Sequence, residues 1–401
     1  MDIINIGIIF LTIVLVMKLK KPLYVCISAG IIITVLLYKI PIDTFFELAK
    51  NGLLGRATIN MVLAFYTITF LQRMLEKRDR LMLAERSISN LFNNRRINAM
   101  FVPFVIGLLP SPGAVLIAAP MVVNATEGYL DTEEQTFVTS YFRHISEAFL
   151  PTYAHIILAM QLSGMKMSSF VIGMLPMVVV LFLAGYIVYV RKIPKETGLP
   201  PSKDKKADAK NVIRSMWSIV LTVVVILAFD IPIHYATIGV IVLNFIVDKF
   251  SFMEIKPMFI TAFETRIILN TIIIMIFKEV LLHTGVVETL PSYFANLPIS
   301  IELIYGLIFL IGTIIAGSQA IIAVGIPLAF ATVPNAGITL LIFLMSMSYI
   351  AMQISPTHIC LAIVTEHFKV SFDSLVKKTL PVMGIFMLFL FIYVFILNGI
   401  F

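Results

Sequence analysis

Arg143, His144 and Glu147 occur together in the run Phe142-Arg143-His144-Ile145-Ser146-Glu147, within a stretch, about 137–161, that is otherwise apolar enough to cross a bilayer. A charged group at that depth is costly and is retained where it pairs internally or serves a ligand. Arg143 and Glu147 are four residues apart and can therefore pair on one helix face. The chemistry on offer is a proton carrier in Glu147 and an anion anchor in Arg143. Pro151 interrupts this stretch and is followed by Thr152; Pro356 and Thr357 repeat the arrangement in 337–364. Proline leaves carbonyls of the preceding turn without N–H partners, and a threonine hydroxyl beside free carbonyls suits a hard cation such as Na⁺. The corresponding second-half positions, around Ser348 and Gln353, are neutral, so the two half-sites are chemically unequal.

A second set of candidates sits in two glycine-containing interruptions, Ser111 and Gly113 in Pro110-Ser111-Pro112-Gly113, and Gly317-Ser318-Gln319. Glycine lets a ligand approach the backbone, and hydroxyl or amide oxygens suit Na⁺ or a carboxylate. Lys278 and Glu279 are adjacent in IIIMIFKEVLLHTG and point about 100° apart on a helix, so each needs a partner elsewhere. An interhelical ion pair is their plainer role, with ion coupling as the other. His358 directly follows Thr357 and can line the same cavity. Structural roles stand beside each functional one. Serine caps helices, threonine re-satisfies its own helix, and an Arg–Glu pair braces one. No HExxH spacing is present, and Cys26 and Cys360 both lie in apolar runs, so neither a metal centre nor a disulfide framework is expected. No cofactor is expected beyond Na⁺ or H⁺ as a coupling ion.

The elements that must position these residues follow from composition. Apolar residues make up 59% of 401 and charged residues 13%, and the mean hydropathy is +0.99. A soluble chain of this length could not hide so much apolar surface, so the excess faces lipid. The net charge of +7 is too small and dispersed for a nucleic-acid binder. The first apolar run precedes Lys18, Lys20 and Lys21, the charge order of a retained span rather than a cleaved signal. Spans are expected at roughly 2–17, 22–40, 58–74, 168–190, 214–230, 232–248, 267–284 and 380–399, together with the broken helices 137–161 and 337–364. The segments 97–123 and 301–331 have arms too short to span and read as re-entrant hairpins. Segments at about 42–57, 254–266 and 80–93 read as interfacial amphipathic helices.

The fold expected is thus an all-α polytopic membrane protein of about ten transmembrane helices and two hairpins. A basic linker, 191–213, divides it into halves 1–190 and 214–401. With the linker cytoplasmic and both termini extracytoplasmic, 24 of the 30 Lys and Arg residues fall on the cytoplasmic side. The halves align: PSPGAVLIAAP (110–120) with GSQAIIAVGIP (317–327), and Leu150-Pro151-Thr152 with Ser355-Pro356-Thr357. Five crossings per half, an odd number, invert the second repeat relative to the first. Inverted repeats whose broken helices converge at mid-depth are the architecture of secondary transporters. Irregular backbone at that depth must line a cavity or be buried in protein.

This order of hairpin, broken helix and repeat resembles the ion-transporter superfamily of carboxylate, gluconate, citrate and arsenite carriers. Within it, Phe142–Glu147 followed by Leu150-Pro151-Thr152-Tyr153 resembles an uncharacterised bacterial and archaeal integral-membrane family. In the dicarboxylate branch each hairpin tip carries Ser-Asn-Thr, which binds sodium and substrate; here the tips read Ser111-Pro112-Gly113 and Ser318-Gln319-Ala320, and only the serines match. The resemblance implies an elevator-type carrier, with interfacial helices dividing scaffold from transport unit, and a homodimer. The function expected is ion-coupled transport of a small anion, an organic carboxylate by preference, across the cell membrane and without enzymatic activity. An intramembrane hydrolase using Ser111 or Ser318 with a histidine is the alternative, and a channel a third. The chain contains neither a Gly-x-Ser-x-Gly pattern nor a Walker-type nucleotide loop.

Overall fold

The computed structural model describes residues 2–19, 21–108, 114–198, 200, 202–286, 298–333 and 335–400. Among these are nineteen α-helices and no strand. Ser111 and Gly113, at the first hairpin tip, lie outside the described residues.

Among the described residues, three helices are long and apolar enough to cross a membrane: α10 (Met167–Val188), α11 (Lys205–Phe229) and α19 (Phe372–Ile400). The 22 residues of α10 rise about 33 Å at 1.5 Å each. Its outer stripe, Ile172, Leu175, Val179, Leu183 and Ile187, is 45–62% exposed, while Val171, Met174, Val178 and Leu181 are buried. A helix apolar on both faces is stable only where its outer face meets something other than water. Two bent pairs, α3 (Ile42–Leu54) with α4 (Arg56–Lys77) and α13 (Phe252–Thr261) with α14 (Thr265–His283), turn by 42° and 45° and bring the candidate spans to as many as five. The remaining apolar helices are short, among them α1 (Asp2–Lys18), α2 (Leu23–Leu37) and α12 (Ile233–Val247). Together these helices are consistent with a membrane protein.

The segment expected as linker is partly helical. Asp204 accepts a hydrogen bond from Ala207 N at 2.9 Å and starts α11 at Lys205, because the Lys- and Ala-rich run that follows has good helix propensity. Amphipathic α5 (Arg80–Phe92) lies against α11.

Each expected hairpin consists of two packed helices, α6 (Arg95–Gly107) with α7 (Ala114–Thr126), and α15 (Ile301–Ala316) with α16 (Ser318–Thr332). Both stretches read as broken helices contain more than one helix. In the first, α8 (Thr132–His144) tightens into a 3₁₀ turn, Ile145–Ala148, and resumes as α9 (Ala154–Ser163). In the second, α17 (Ile338–Met352) stops before Pro356 and resumes as α18 (Ile359–Phe368). Helix α6 packs on α8, and α15 on α17; the second arms cross over, α7 meeting α18 and α16 meeting α9. This crossing brings the two breaks together in one buried core.

Candidate functional site

Helix α8 starts on a capping box: Asp131 Oδ1 accepts from Glu134 N at 2.7 Å, and Glu134 Oε2 accepts from Asp131 N at 3.3 Å. Its buried threonines return their hydroxyls to the helix, Thr136 to Thr132 O at 2.7 Å and Thr139 to Gln135 O at 2.8 Å. The helix can therefore carry these threonines into an apolar core with their hydroxyls satisfied. At its end stand Arg143 and His144, 1% and 0% exposed. Arg143 Nη1 donates to Glu147 Oε1 at 2.6 Å, the i,i+4 pair expected. In a dry core such a charge-assisted bond is strong, and loss of either partner strands the other charge.

The turn carrying Glu147 is fastened to the first hairpin. The Gly107 carbonyl, at the end of α6, accepts from Ser146 Oγ at 2.7 Å and from the Tyr153 hydroxyl. A Cβ at Gly107 would fall 2.1 Å from the Arg143 carbonyl oxygen, so only glycine permits this approach. His155 Nε2 donates to Glu147 O at 2.9 Å across the break.

The second half supplies the other wall. His358 Nε2 lies 2.9 Å from His144 Nε2, and Cys360 Sγ lies 3.5 Å from Arg143 Nη1. His144 Nδ1 is 2.6 Å from the Ser140 carbonyl, which can only accept, so Nδ1 carries the hydrogen and Nε2 presents a lone pair. His358 Nε2–H is therefore the donor between the rings. The donor atoms of His144, Glu147, His358 and Cys360 all lie within 4.8 Å of one another.

The other expected residues stand outside this set of four donors. Thr357 is in the second break: its hydroxyl is 2.8 Å from Ser355 Oγ, and a Cβ at Gly317 would stand 3.6 Å from Thr357 Oγ1. Gly317 adopts φ 82°, ψ 157°, a conformation that is nearly confined to glycine, and Ser318 and Gln319 begin α16 half-buried behind it. Thr152 Oγ1 is buried with no hydrogen-bond partner among the described residues. Lys278 and Glu279 are half-buried on α14, and among the described residues neither has an ion-pair partner. Two cavities lie elsewhere. One, of about 340 Å³, includes Asn60, Gln161 and the Lys166–Asp230 pair. The other, of about 370 Å³, is an apolar recess between α1 and the second hairpin.

Sequence reasoning set no role for His144, Tyr153, Ser146 or Gly107, and placed Cys360 in an apolar run with no ligand role. Tyr153 stood in the quoted motif, but its carbonyl acceptor is 46 residues away. The ligand-type residues of the second half are separated from those of the first by more than two hundred residues, and no local spacing links them.

Residues 5–397 match the model of the family described as protein of unknown function (DUF401). The chain belongs to that family. No similar protein was found among the curated proteins.

Proposed function

We propose that the protein is an ion-coupled secondary carrier of a small anion, an organic carboxylate by preference, driven by Na⁺ or H⁺ and working by elevator-like alternating access. One observation carries this reading: a fully buried arginine, Arg143, stands where the broken helices of both halves meet, beside Glu147, His144, His358 and Cys360. A guanidinium is an anion anchor, and the carboxylate and paired imidazoles beside it are proton-exchanging groups. The half-buried Ser318 and Gln319 hydrogen-bonding groups, with Thr357 close to Gly317, extend the site towards the second hairpin tip.

The inverted repeat is supported by the packing. Ser318 follows Ser111 by 207 residues, and Ile314 follows Gly107 by the same interval. The Gly107 carbonyl accepts from Ser146 and Tyr153 of its broken helix, and the Ile314 carbonyl accepts from Ser355 of the other at 2.9 Å. The crossed contacts of α7 with α18 and of α16 with α9 are what a two-fold axis in the membrane plane would generate. The expected orientation also gains support from the ion pairs. Arg73–Glu264, Arg78–Glu254, Arg80–Asp248, Lys192–Glu134 and Lys378–Asp131 each join two residues assigned to the cytoplasmic side, while Lys166–Asp230 joins two assigned outside. This is the arrangement on which the resemblance to the ion-transporter superfamily rests.

The test is a thermal-shift screen of the detergent-purified protein against small carboxylates and oxyanions, in Na⁺ buffer, in K⁺ buffer and across pH. A ligand that binds only the folded state raises its transition temperature. At least one anion is expected to stabilise the protein more strongly in Na⁺ or in acid. If none does under any cation or pH, the anion-carrier reading is overturned.

A further inference from the structure

We propose that His144, Glu147, His358 and Cys360 form a binding site for a borderline-soft divalent metal ion, with Zn²⁺ the best match to its donors. The inference rests on side-chain placement alone and stands or falls separately from the carrier reading.

The donor set is two imidazole nitrogens, one carboxylate oxygen and one thiol sulfur, contributed by both halves of the chain, with all four atoms within 4.8 Å of one another. Mixed nitrogen, oxygen and sulfur ligation in four-fold coordination suits Zn²⁺, whereas hard cations such as Mg²⁺ and Ca²⁺ take oxygen shells. Bonds of about 2.0–2.3 Å at tetrahedral angles set donor–donor separations of roughly 3.3–3.7 Å. The two Nε2 atoms at 2.9 Å must part slightly, and Glu147 Oε1, at 3.9 Å from His144 Nε2, must close slightly. The remaining donor pairs lie within 4.8 Å of one another and must also close towards that range.

The surroundings resemble those that orient metal ligands. His144 holds its Nδ1–H on the Ser140 carbonyl, which fixes the tautomer and aims the Nε2 lone pair at the cluster. Arg143 Nη1 contacts Glu147 Oε1 at 2.6 Å and Cys360 Sγ at 3.5 Å, so one guanidinium touches both the carboxylate and the thiol. A carboxylate has about four acceptor sites on its two oxygens, so Glu147 can keep Arg143 while ligating an ion. On binding, the Cys360 thiol proton leaves to solvent as the Zn–S bond forms. The hydrogen between the imidazoles moves to His358 Nδ1, freeing both Nε2 lone pairs. Zn²⁺ with one thiolate and one carboxylate is neutral, so Arg143 retains its positive charge for an anion. The four donors are the only group of this kind found among the described residues.

The test uses the full chain, stripped with a chelator and titrated with Co²⁺ alone, since cobalt reports its geometry through visible ligand-field bands and a thiolate ligand through charge-transfer absorption. Expected are saturation at a single ion per chain, tetrahedral bands, and displacement by Zn²⁺. The charge-transfer band should vanish in Cys360→Ser and persist in Cys26→Ser, and His358→Gln should weaken affinity by about tenfold or more. The wild-type titration needs no variant to fold: absence of saturable binding overturns the proposal. So does binding that is unchanged in both Cys360→Ser and His358→Gln, because the ion would then sit elsewhere.

Discussion

In the first half, the break between α8 and α9 is held by charge: Arg143 on Glu147, with Ser146 and Tyr153 both on the Gly107 carbonyl. In the second, the break between α17 and α18 is held by hydroxyls. Ser355 Oγ contacts the Ile314 carbonyl at 2.9 Å and Thr357 Oγ1 at 2.8 Å, while Ser348, which the sequence alignment of the halves sets opposite Arg143, lies 2.9 Å from Thr313 Oγ1. The same bend is thus stabilised in two ways, one of which concentrates charge. A broken helix needs only enough donors to satisfy its loosened carbonyls, and neutral ones suffice. Among the described residues the first break alone carries a buried ion pair, and the proposed anion site is built around that pair with ligand-type residues from both halves.

The largest expected effect comes from separating that pair. Arg143→Met leaves Glu147 buried without its partner and should destabilise the protein by about 3–5 kcal/mol. Adding Glu147→Leu should recover most of that loss, since paired apolar replacements of a buried ion pair are often neutral. Anion-induced stabilisation should remain absent in the double variant. Thermal unfolding with and without the stabilising anion measures both; an anion shift that survives in the double variant would remove Arg143 from the site.

Glycine substitutions come next. At Gly107 an added Cβ meets the Arg143 carbonyl oxygen at 2.1 Å, and the backbone must move. Gly107→Ala is expected to cost about 3 kcal/mol, the upper end for overpacking. Gly317→Ala meets only ordinary contact, so its cost, about 1–3 kcal/mol, arises from φ alone. Equal tolerance of the two changes would contradict the close docking of α6 on the first break.

The hydroxyl pair sharpens the comparison further. Ser146→Ala leaves the Tyr153 hydroxyl on Gly107 O and should cost less than about 1 kcal/mol. Ser355→Ala removes a hydroxyl that serves both the Ile314 carbonyl and Thr357, and should cost about 1–3 kcal/mol. Denaturant or thermal unfolding of the two variants side by side reads the difference.

The smallest effect lies outside the core. Burial pushes the Asp131 carboxyl up, but the Lys378 ammonium and the amides of Glu134 and Glu133 outweigh it and hold the group below its usual value. Burial likewise lowers Lys378, and Asp131, Glu134 and Glu133 more than restore it. The contribution of Asp131 is complete above its unfolded value, about 3.9, and is lost as pH falls through the lower folded value. That of Lys378 is complete below about 10.4 and is lost as pH rises through its raised value. Asp131→Asn keeps the helix cap and should cost under about 1 kcal/mol, because Asp131 is exposed and its pairing with half-buried Lys378 is screened by solvent. That cost should stay flat from about pH 5 to 10 and shrink in acid.

The helical, apolar character of the chain was legible because its signals are local. Pro151 and Pro356 mark the breaks, the apolar runs mark the helices, and the four-residue spacing of Arg143 and Glu147 gave their pairing directly. The helical start of α11 at Lys205 was obscured by charge, since a Lys-rich run reads as solvated whether or not it is helical. The site itself was only half legible. His144 facing His358, and Arg143 facing Cys360, depend on two short helices crossing, and no property of either segment encodes its partner. Lys278 and Glu279 show the converse: their sequence context announces charge in a span, yet among the described residues they join no ion pair.

The most direct measurement is uptake into proteoliposomes of the anion that stabilises the purified protein, under an imposed Na⁺ or proton gradient. The account predicts accumulation that collapses when the gradient is dissipated and that disappears in the Arg143→Met, Glu147→Leu double variant. No accumulation under either gradient, or accumulation undiminished in that variant, would contradict it.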